Sequence, residues 1–127
     1  MKKKIITTLN APAPIGPYNQ AVLSDKTLYI SGQIPLIPNK MEILNSTIED
    51  ETNLVMNNLK AILEAAQMTF KHVVKTSIFL SDMNNFGKVN DVYGRYFDND
   101  TAPARETIAV KALPKSVKVE ISMIAVK

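Results

Sequence analysis

The stretch that decides the fold is TAPARETIAVKALPKSVKVEISMIAV, residues 101–126. It contains two runs rich in β-branched and apolar residues, Thr107 to Leu113 and Val117 to Val126. Pro114-Lys115-Ser116 separates these runs, as turn residues separate the strands of a hairpin. We therefore expect two antiparallel strands to close the sheet at this end of the sequence.

The second of these strands presents two different faces. One face is wholly apolar, which predicts burial against helices, and consists of Val117, Val119, Ile121, Met123 and Ala125. The other face begins polar and becomes apolar, in the order Lys118, Glu120, Ser122, Ile124 and Val126. Because no helix remains to cover this second face, the pattern predicts that another copy of the chain covers it.

Three strands are expected before the first helix, and they are Ile5 to Thr8, Gln20 to Leu23 and Thr27 to Ser31. The first would be a short edge strand. The loop from Ala11 to Tyr18 is too rich in proline to be helical, so it is expected to be stiff and ordered. Pro35 to Asn45 is expected to be irregular.

Two helices and a central strand follow. Ser46-Thr47-Ile48-Glu49 fits a capping box with Ser46 as the cap, and an apolar stripe continues to about Met68. His72 to Leu80 predicts a central strand, because its apolar side chains fall on both faces. Ser81-Asp82 can cap a second helix, whose apolar stripe consists of Phe86, Val89, Tyr93 and Phe97. The order β-β-β-α-β-α-β-β predicts an α+β fold, one sheet with two helices packed on one face.

The composition is that of one soluble globular domain, residues 1–127, with 46% hydrophobic and 21% charged residues. The absence of cysteine excludes disulfides and thiolate chemistry. The net charge of +3 comes largely from Lys2, Lys3 and Lys4, a cluster too local to predict nucleic-acid binding. These lysines and Ile5-Ile6 resemble the start of a secretory signal, but the apolar run after the lysines is too short for one. No apolar run in the sequence is long enough to span a membrane. We therefore expect a cytoplasmic protein.

The residues present exclude most kinds of catalytic site. The one histidine, His72, stands at the start of an apolar strand, where a structural role is expected, and no metal-ligand cluster predicts a metal. The four glycines form no nucleotide-binding or nucleophile-elbow motif, so we expect neither a cofactor nor covalent catalysis. An arginine, a carboxylate, hydroxyls and backbone groups remain, and these suit the binding of a small acid and the positioning of water.

Arg105 and Glu120 are the candidate catalytic pair. Pro103 stiffens the segment before Arg105, whose planar fork of donors can then bind a carboxylate at low entropic cost. Glu106 is expected on the opposite face of the strand, where it need not neutralise the arginine. In the expected hairpin Glu120 would pair with Ala109, about 13 Å from Arg105 along the strand. The pair is therefore expected to meet across a subunit boundary, or through a bulge and twist.

Short runs spread over the whole sequence carry a family resemblance, and they are Ala11-Pro12, Ile15-Gly16-Pro17-Tyr18, Ile30 to Pro35, Asn58 to Ala66, Val73 to Thr76, Val89 to Tyr93, Pro103-Ala104-Arg105, Leu113 to Lys115 and Val119 to Ile121. Together they resemble the reactive intermediate deaminase family, also called the Rid or YjgF family. The resemblance implies a chorismate-mutase-like fold and a homotrimer with clefts between its subunits. It also implies hydrolysis of 2-imino acids to 2-oxo acids and ammonia, with no cofactor.

The resemblance implies roles for particular residues as well. Arg105 would bind the substrate carboxylate, and Glu120 would orient water or the imine nitrogen. The rest of the cleft would be lined by Tyr18, Ser31, Gly32, Asn90 and Thr107. The sequence departs from the common family pattern where Thr107 replaces a cysteine, Ala102 a phenylalanine and Gln67 a glycine. These replacements are expected to affect pocket shape and substrate range more than the chemistry.

The imines would arise from enamines such as 2-aminoacrylate and 2-aminocrotonate. Two other functions stay open at this point. The same cleft could bind a 2-oxo acid without turnover, as a regulatory module, and would then show binding that depends on Arg105 without faster loss of imine. RNA binding or ribonuclease activity, proposed for relatives, is supported here only by Lys2, Lys3 and Lys4, so nucleic acid is not an expected partner.

Overall fold

A mixed sheet of six strands forms the centre of the computed structural model, which describes residues 2–127. In chain order the strands are β1 (Lys3–Ile6), β2 (Ala21–Ser24), β3 (Thr27–Gln33), β4 (Leu36–Ile37), β5 (Glu42–Ile43), β6 (Val73–Leu80), β7 (Ala104–Ala109) and β8 (Val119–Val126). The pair β4 and β5 forms a separate small sheet within the segment expected to be irregular. The helices are α1 (Ile48–Ala65) and α2 (Phe86–Gly94). This is the predicted α+β architecture of the chorismate-mutase-like fold.

The strands of the main sheet lie in the order β1-β2-β3-β8-β6-β7. The last strand in sequence is therefore central, antiparallel to both β3 and β6, whereas β7 lies at the edge and is parallel to β6. The expected hairpin of the last two strands is wrong, and β7 covers residues 104–109 instead of 107–113. α2 supplies the crossover that a parallel pair requires. The strand with a continuous buried face takes the centre, and the more exposed β7 takes the edge.

The helix-facing side of β8 is buried as predicted, and Val119, Ile121 and Ala125 are wholly inaccessible. α1 lies against β8 and β3 and buries its apolar stripe on them. The fully buried members of that stripe are Val55, Met56, Leu59, Ile62 and Leu63. Since each large apolar side chain buried in this way contributes about 1.5–3 kcal/mol, this contact makes a large contribution to stability.

The start of α1 differs by one residue from the predicted capping box. Thr47, not Ser46, is the N-cap, and its hydroxyl accepts a hydrogen bond from the amide of Asp50 at 3.1 Å. The carboxylate of Glu51 reaches back to the amide of Ser46 at 3.3 Å. Two adjacent hydroxyl residues can each cap a helix, and the sequence pattern alone does not choose between them.

The end of α1 is a Schellman motif without glycine. The amide of Met68 donates to the carbonyl of Leu63 at 2.9 Å, and the amide of Gln67 donates to that of Glu64 at 2.9 Å. The motif requires a left-handed residue at Gln67, whose φ is 59°. Gln67 therefore occupies a backbone conformation that favours glycine. This explains why glycine is the common family residue at the position where this chain has glutamine.

α2 is shorter than predicted and is preceded by a 3₁₀ turn that Asp82 caps. Its buried residues are Val89, Val92 and Tyr93, whereas Phe86 is 39% exposed and Phe97 lies beyond the helix. His72 has the structural role expected of it, because its Nδ1 accepts from the amide of Thr69 at 3.0 Å. Within residues 2–127 no helix combines the length and the apolar character needed to cross a membrane.

The face of the main sheet opposite the helices, here called the outer face, carries an apolar row. Ile5, Val22, Tyr29 and Ile124 are neighbours in register across β1, β2, β3 and β8. Tyr29 is 51% exposed and Ile108, further along this face, 45%. The two helices of the chain lie on the other side, so the outer face has the uncovered apolar surface that the sequence predicted.

Candidate active site

A β-bulge lies where β3 passes Glu120. Ile30 pairs with Met123 and Gln33 with Ile121, so three steps along β3 correspond to two along β8. The extra residue falls in Ser31-Gly32, and bulges of this kind often redirect side chains beside functional sites. A Cβ atom on Gly32 would overlap a carboxylate oxygen of Glu120 and come within 2.9 Å of its Cδ. A side chain at position 32 would therefore displace the Glu120 carboxylate from its place against this strand.

Glu120 is half-buried, and burial raises the pKa of its carboxyl group. Within residues 2–127 it takes part in neither ion pair, since Lys75 contacts Glu106 and Lys118 contacts Glu51. A carboxyl group whose pKa is raised by burial can take up and return a proton nearer to neutral pH. Its environment therefore suits general acid–base chemistry.

The proline-rich loop beside Glu120 is fixed by Gln20, a residue that the sequence analysis did not select. Its side chain is 3% exposed, and its Nε2 donates to the carbonyls of Ala11 at 3.2 Å and Pro12 at 2.8 Å. Its Oε1 accepts from the amide of Thr8 at 2.8 Å. Prolines in the loop lack N–H groups, so the loop cannot satisfy its own carbonyls. In the sequence, the sign of this role is that a polar residue, Gln20, closely follows a proline-rich loop.

These elements enclose a cavity of about 400 Å³, here called the Glu120 cavity. Of the predicted site residues it contains Tyr18, Ser31, Gly32 and Glu120. Ser31 is held by its hydroxyl, which donates to the carbonyl of Asn19 at 2.6 Å. Most of the other lining residues are apolar, and no lysine or arginine lines the cavity. It offers a proton-carrying group but nothing to neutralise an anion.

Arg105 lies in a second depression, of about 380 Å³, here called the Arg105 cavity, which also contains the predicted Asn90. The guanidinium lies over aromatic rings, with its carbon 5.0 Å from the centre of the Tyr93 ring and 5.8 Å from that of Phe86. Among the described residues that line this cavity there is no carboxylate. It offers a cation held in place and free to bind an acid.

Glu106 leaves that cation free, as predicted. Its carboxylate lies on the outer face, 2.7 Å from Nζ of Lys75, and it also accepts a hydrogen bond from the hydroxyl of Ser77. Lys75 and Ser77 together lower the pKa of Glu106. The neighbouring carboxylate is therefore engaged away from Arg105.

The two candidate catalytic side chains point to opposite faces of the sheet. Arg105 pairs with Thr76, whose hydroxyl accepts a hydrogen bond from Tyr93 on α2, so both lie on the helix side. Glu120 pairs with Phe79 on the outer face, and Ala109 pairs with Leu80, so the expected pairing of Glu120 with Ala109 is wrong. A bulge does exist near Glu120, but it does not bring the pair together within one chain.

Thr107 lies on the same side of β7 as Arg105, two residues further along the strand. Its hydroxyl oxygen is buried and has no hydrogen-bond partner within the described part of the chain. The structure thus divides the seven predicted residues, with Tyr18, Ser31, Gly32 and Glu120 in one cavity, Asn90 and Arg105 in the other, and Thr107 beside Arg105. Among residues 2–127 no group of three or more His, Asp or Glu side chains could hold a metal ion.

Comparison with known proteins identifies the family. The family model described as Endoribonuclease L-PSP matches residues 8–127. The 2-iminobutanoate/2-iminopropanoate deaminase of Mus musculus is 46% identical over 125 residues, which are 98% of this chain and 92% of the mouse protein. A crystal structure from Thermotoga maritima MSB8 has a TM-score of 0.95 at 48% identity and covers 100% of this chain and 98% of its own.

One further structure, E. coli TdcF with bound serine, has a TM-score of 0.91 at 41% identity and covers 98% of both chains. All these matches extend over nearly the full length, so they include the residues that line both cavities. The family model and the relatives agree with the resemblance carried by the motifs around Arg105 and Glu120. The chain belongs to the Rid/YjgF family, whose family model carries the description Endoribonuclease L-PSP.

Proposed function

We propose that this protein hydrolyses 2-imino acids, formed from enamines such as 2-aminoacrylate and 2-aminocrotonate, to 2-oxo acids and ammonia. The observation that carries the proposal is the division of the site: a free guanidinium on one face of the sheet and a carboxyl group with raised pKa on the other. The mouse relative named 2-iminobutanoate/2-iminopropanoate deaminase supports this class of substrate. TdcF, which binds serine, supports a ligand with a carboxylate and a nitrogen.

In this proposal the active site lies between two subunits of a homotrimer. The Arg105 cavity of one subunit faces the Glu120 cavity of the next, which brings together the groups that a single chain keeps apart. The uncovered apolar row of the outer face supports such an assembly, because an exposed patch of this kind commonly marks a subunit interface. Each site then has one cation and one proton-carrying acid.

The reaction needs few catalytic groups. The enamine tautomerises to the imine, and Arg105 binds its carboxylate through two parallel hydrogen bonds. As the water oxygen attacks the imine carbon, Glu120 accepts a proton from the water and passes it to the imine nitrogen, which gives a neutral carbinolamine. Glu120 then takes the proton of the carbinolamine hydroxyl and passes it to the nitrogen, the C–N bond breaks, and the 2-oxo acid and ammonia leave. Because the imine is already electrophilic, positioning supplies much of the acceleration. No cofactor takes part.

The remaining predicted residues have supporting roles in this scheme. Tyr18 and Ser31 line the space beside the reacting carbon, and Gly32 allows the carboxyl group of Glu120 to reach it. Thr107 brings a buried hydroxyl, which has no hydrogen-bond partner within residues 2–127, close to the carboxylate end of the substrate. Asn90 lies beside Arg105 at the entrance.

The test follows the imine directly. A threonine dehydratase supplies 2-aminocrotonate, and semicarbazide traps the imine that survives, so an active protein lowers the trapped fraction. We expect Arg105→Ala to lose the effect and Arg95→Ala, which removes an exposed arginine outside both cavities, to keep it. Wild-type activity in Arg105→Ala would refute the site. Binding of a 2-oxo acid without any change in imine lifetime would support the regulatory module instead.

A further inference from the structure

We propose that Phe86 and Tyr93, two turns apart on α2, are positioning residues that hold the Arg105 guanidinium in place for carboxylate binding. The inference rests on the proposed function only in that Arg105 must bind an acid. The two rings lie at residues i and i+7 of one helix, so they share a face, and that face meets the guanidinium. Both ring centres are within 6 Å of the Arg105 Cζ atom, the range in which a cation over an aromatic face is attracted to it.

Tyr93 is itself fixed by the strand next to Arg105. Its hydroxyl donates to the Oγ1 atom of Thr76 at 3.0 Å, and Thr76 is wholly buried and pairs with Arg105 in the sheet. The Tyr93 ring also lies 4.8 Å from the ring of Phe97. Burial raises the pKa of Tyr93, so its hydroxyl stays a donor at neutral pH. The Tyr93 ring and the Arg105 guanidinium are thus both anchored at the Thr76–Arg105 pair of β6 and β7.

An aromatic contact and a bound carboxylate can use different parts of the same guanidinium. A ring contacts the flat face of a guanidinium, whereas a carboxylate binds the N–H groups along its edge, so the two contacts are compatible. Neither ion pair in the described chain includes Arg105, and the adjacent Glu106 is held on the other face by Lys75. A guanidinium with a fixed plane loses less rotational freedom when it binds an acid.

The predicted signature is a change in binding with little change in folding. Phe86→Leu removes the ring but keeps the apolar volume, and Phe86 is 39% exposed, so the fold should tolerate the change. We expect the Kd for 2-oxobutanoate and the KM for the imine to rise about 3- to 5-fold, the equivalent of the cost of ordering one long side chain on binding, with a smaller change in kcat. Phe86→Trp, which keeps an aromatic ring at this position, should leave both the Kd and the KM close to the wild-type values.

Two substitutions of Tyr93 distinguish the contribution of its ring from that of its hydroxyl. Tyr93→Phe keeps the ring and loses the hydrogen bond to Thr76, so it should retain most of the affinity, whereas Tyr93→Leu should weaken it at least as much as Phe86→Leu. 2-Oxobutanamide, which lacks the carboxylate, should bind all these variants alike. The matched control is Met83→Ala, which truncates an exposed apolar side chain next to α2 that is not among the residues lining the Arg105 cavity.

The outcomes distinguish this proposal from the proposed function. If Arg105→Ala loses 2-oxobutanoate binding while Phe86→Leu and Tyr93→Leu both bind as the wild type does, the aromatic rings have no positioning role and the enzyme assignment stands. If the two leucine variants weaken binding but the wild type never shortens imine lifetime, the rings do position Arg105 and the enzyme assignment fails. Equal loss of affinity for 2-oxobutanamide would also overturn the proposal, because the effect would then not pass through the carboxylate.

Discussion

The Glu120 carboxyl group is placed by features of the backbone, whereas the Arg105 guanidinium is supported by side chains of a helix. On the first side a bulged strand, a glycine and a proline-rich loop tied down by Gln20 surround one carboxyl group. On the second side the rings of Phe86 and Tyr93 support one cation. Backbone fixes the group that handles protons, where small displacements matter most, and side chains fix the group that binds the acid. Each cavity has half of the proposed chemistry.

The largest effect is expected when Arg105 and Glu120 are removed in separate variants and the two variants are then assembled together. Arg105→Ala and Glu120→Gln should each lose about 10²-fold or more in kcat/KM. When the two inactive variants are unfolded together and reassembled in equal amounts, about a quarter of the wild-type activity should return, because random assembly gives one site in four both intact residues. Semicarbazide trapping measures this recovery. Each variant reassembled alone is the control, and no recovery in a fully assembled mixture would contradict a shared site.

A second experiment tests the backbone side alone. Gly32→Ala places a methyl group where the Glu120 carboxylate lies, so we expect about a 10- to 100-fold loss of kcat/KM. Gly87→Ala is the matched control, since a methyl group there meets nothing within 4 Å and lies in helix α2. It should keep full activity and gain about 1 kcal/mol in the free energy of unfolding. Equal activities for the two variants would show that Glu120 does not depend on Gly32.

A third experiment follows the raised pKa of Glu120 through stability. The folded state binds the carboxyl proton more tightly than the unfolded state does, so wild-type stability should fall as the pH rises from the usual carboxyl pKa to the raised one, and then stay level. Glu120→Gln removes the charge and should be modestly more stable than the wild type at neutral pH, with the difference vanishing in acid. Melting temperatures from pH 3.5 to 8 measure it. A pH-independent difference would argue against burial as the cause.

The sequence predicted those features that depend on local pattern. The alternation from Val117 to Ala125 identified the buried face of β8, and Pro103 with Arg105 identified the cation. The partner strands of β8 could not be predicted in this way, because β3 and β6 are distant in sequence, whereas the turn residues 114–116 favour the nearer β7 as the partner. With Arg105 and Glu120 assigned to adjacent strands, the sequence predicted their separation along the strand but not their position on opposite faces of the sheet.

Residues that act by supporting others were also missed. Gln20 is a polar residue at the start of a strand, and only the carbonyls of the folded loop explain it. Phe86 was assigned to the buried stripe of α2, but it is partly exposed and lies on Arg105. Single-sequence patterns report which face a side chain takes, and they do not report what lies on that face after the chain has folded.

The smallest effect is expected at Gln67, which lines neither cavity. Substitutions there test whether relieving backbone strain changes stability without changing activity. Gln67→Gly relieves a left-handed glutamine and should stabilise the protein by up to about 1 kcal/mol, while kcat/KM stays unchanged. Urea unfolding measures the gain. Gln67→Ala, which keeps the strained φ, should show none, and an equal gain from alanine would mean that the side chain, not the backbone, is the source.

The central place of β8 has a consequence for how the protein is made. Residues 2–109 include five of the six strands of the main sheet, but β3 and β6 can be joined only after residues 119–126 have been synthesised. Until then the nascent chain has open strand edges at the middle of its future sheet, a condition that invites aggregation. Chaperone capture during translation should therefore persist until the last strand leaves the ribosome.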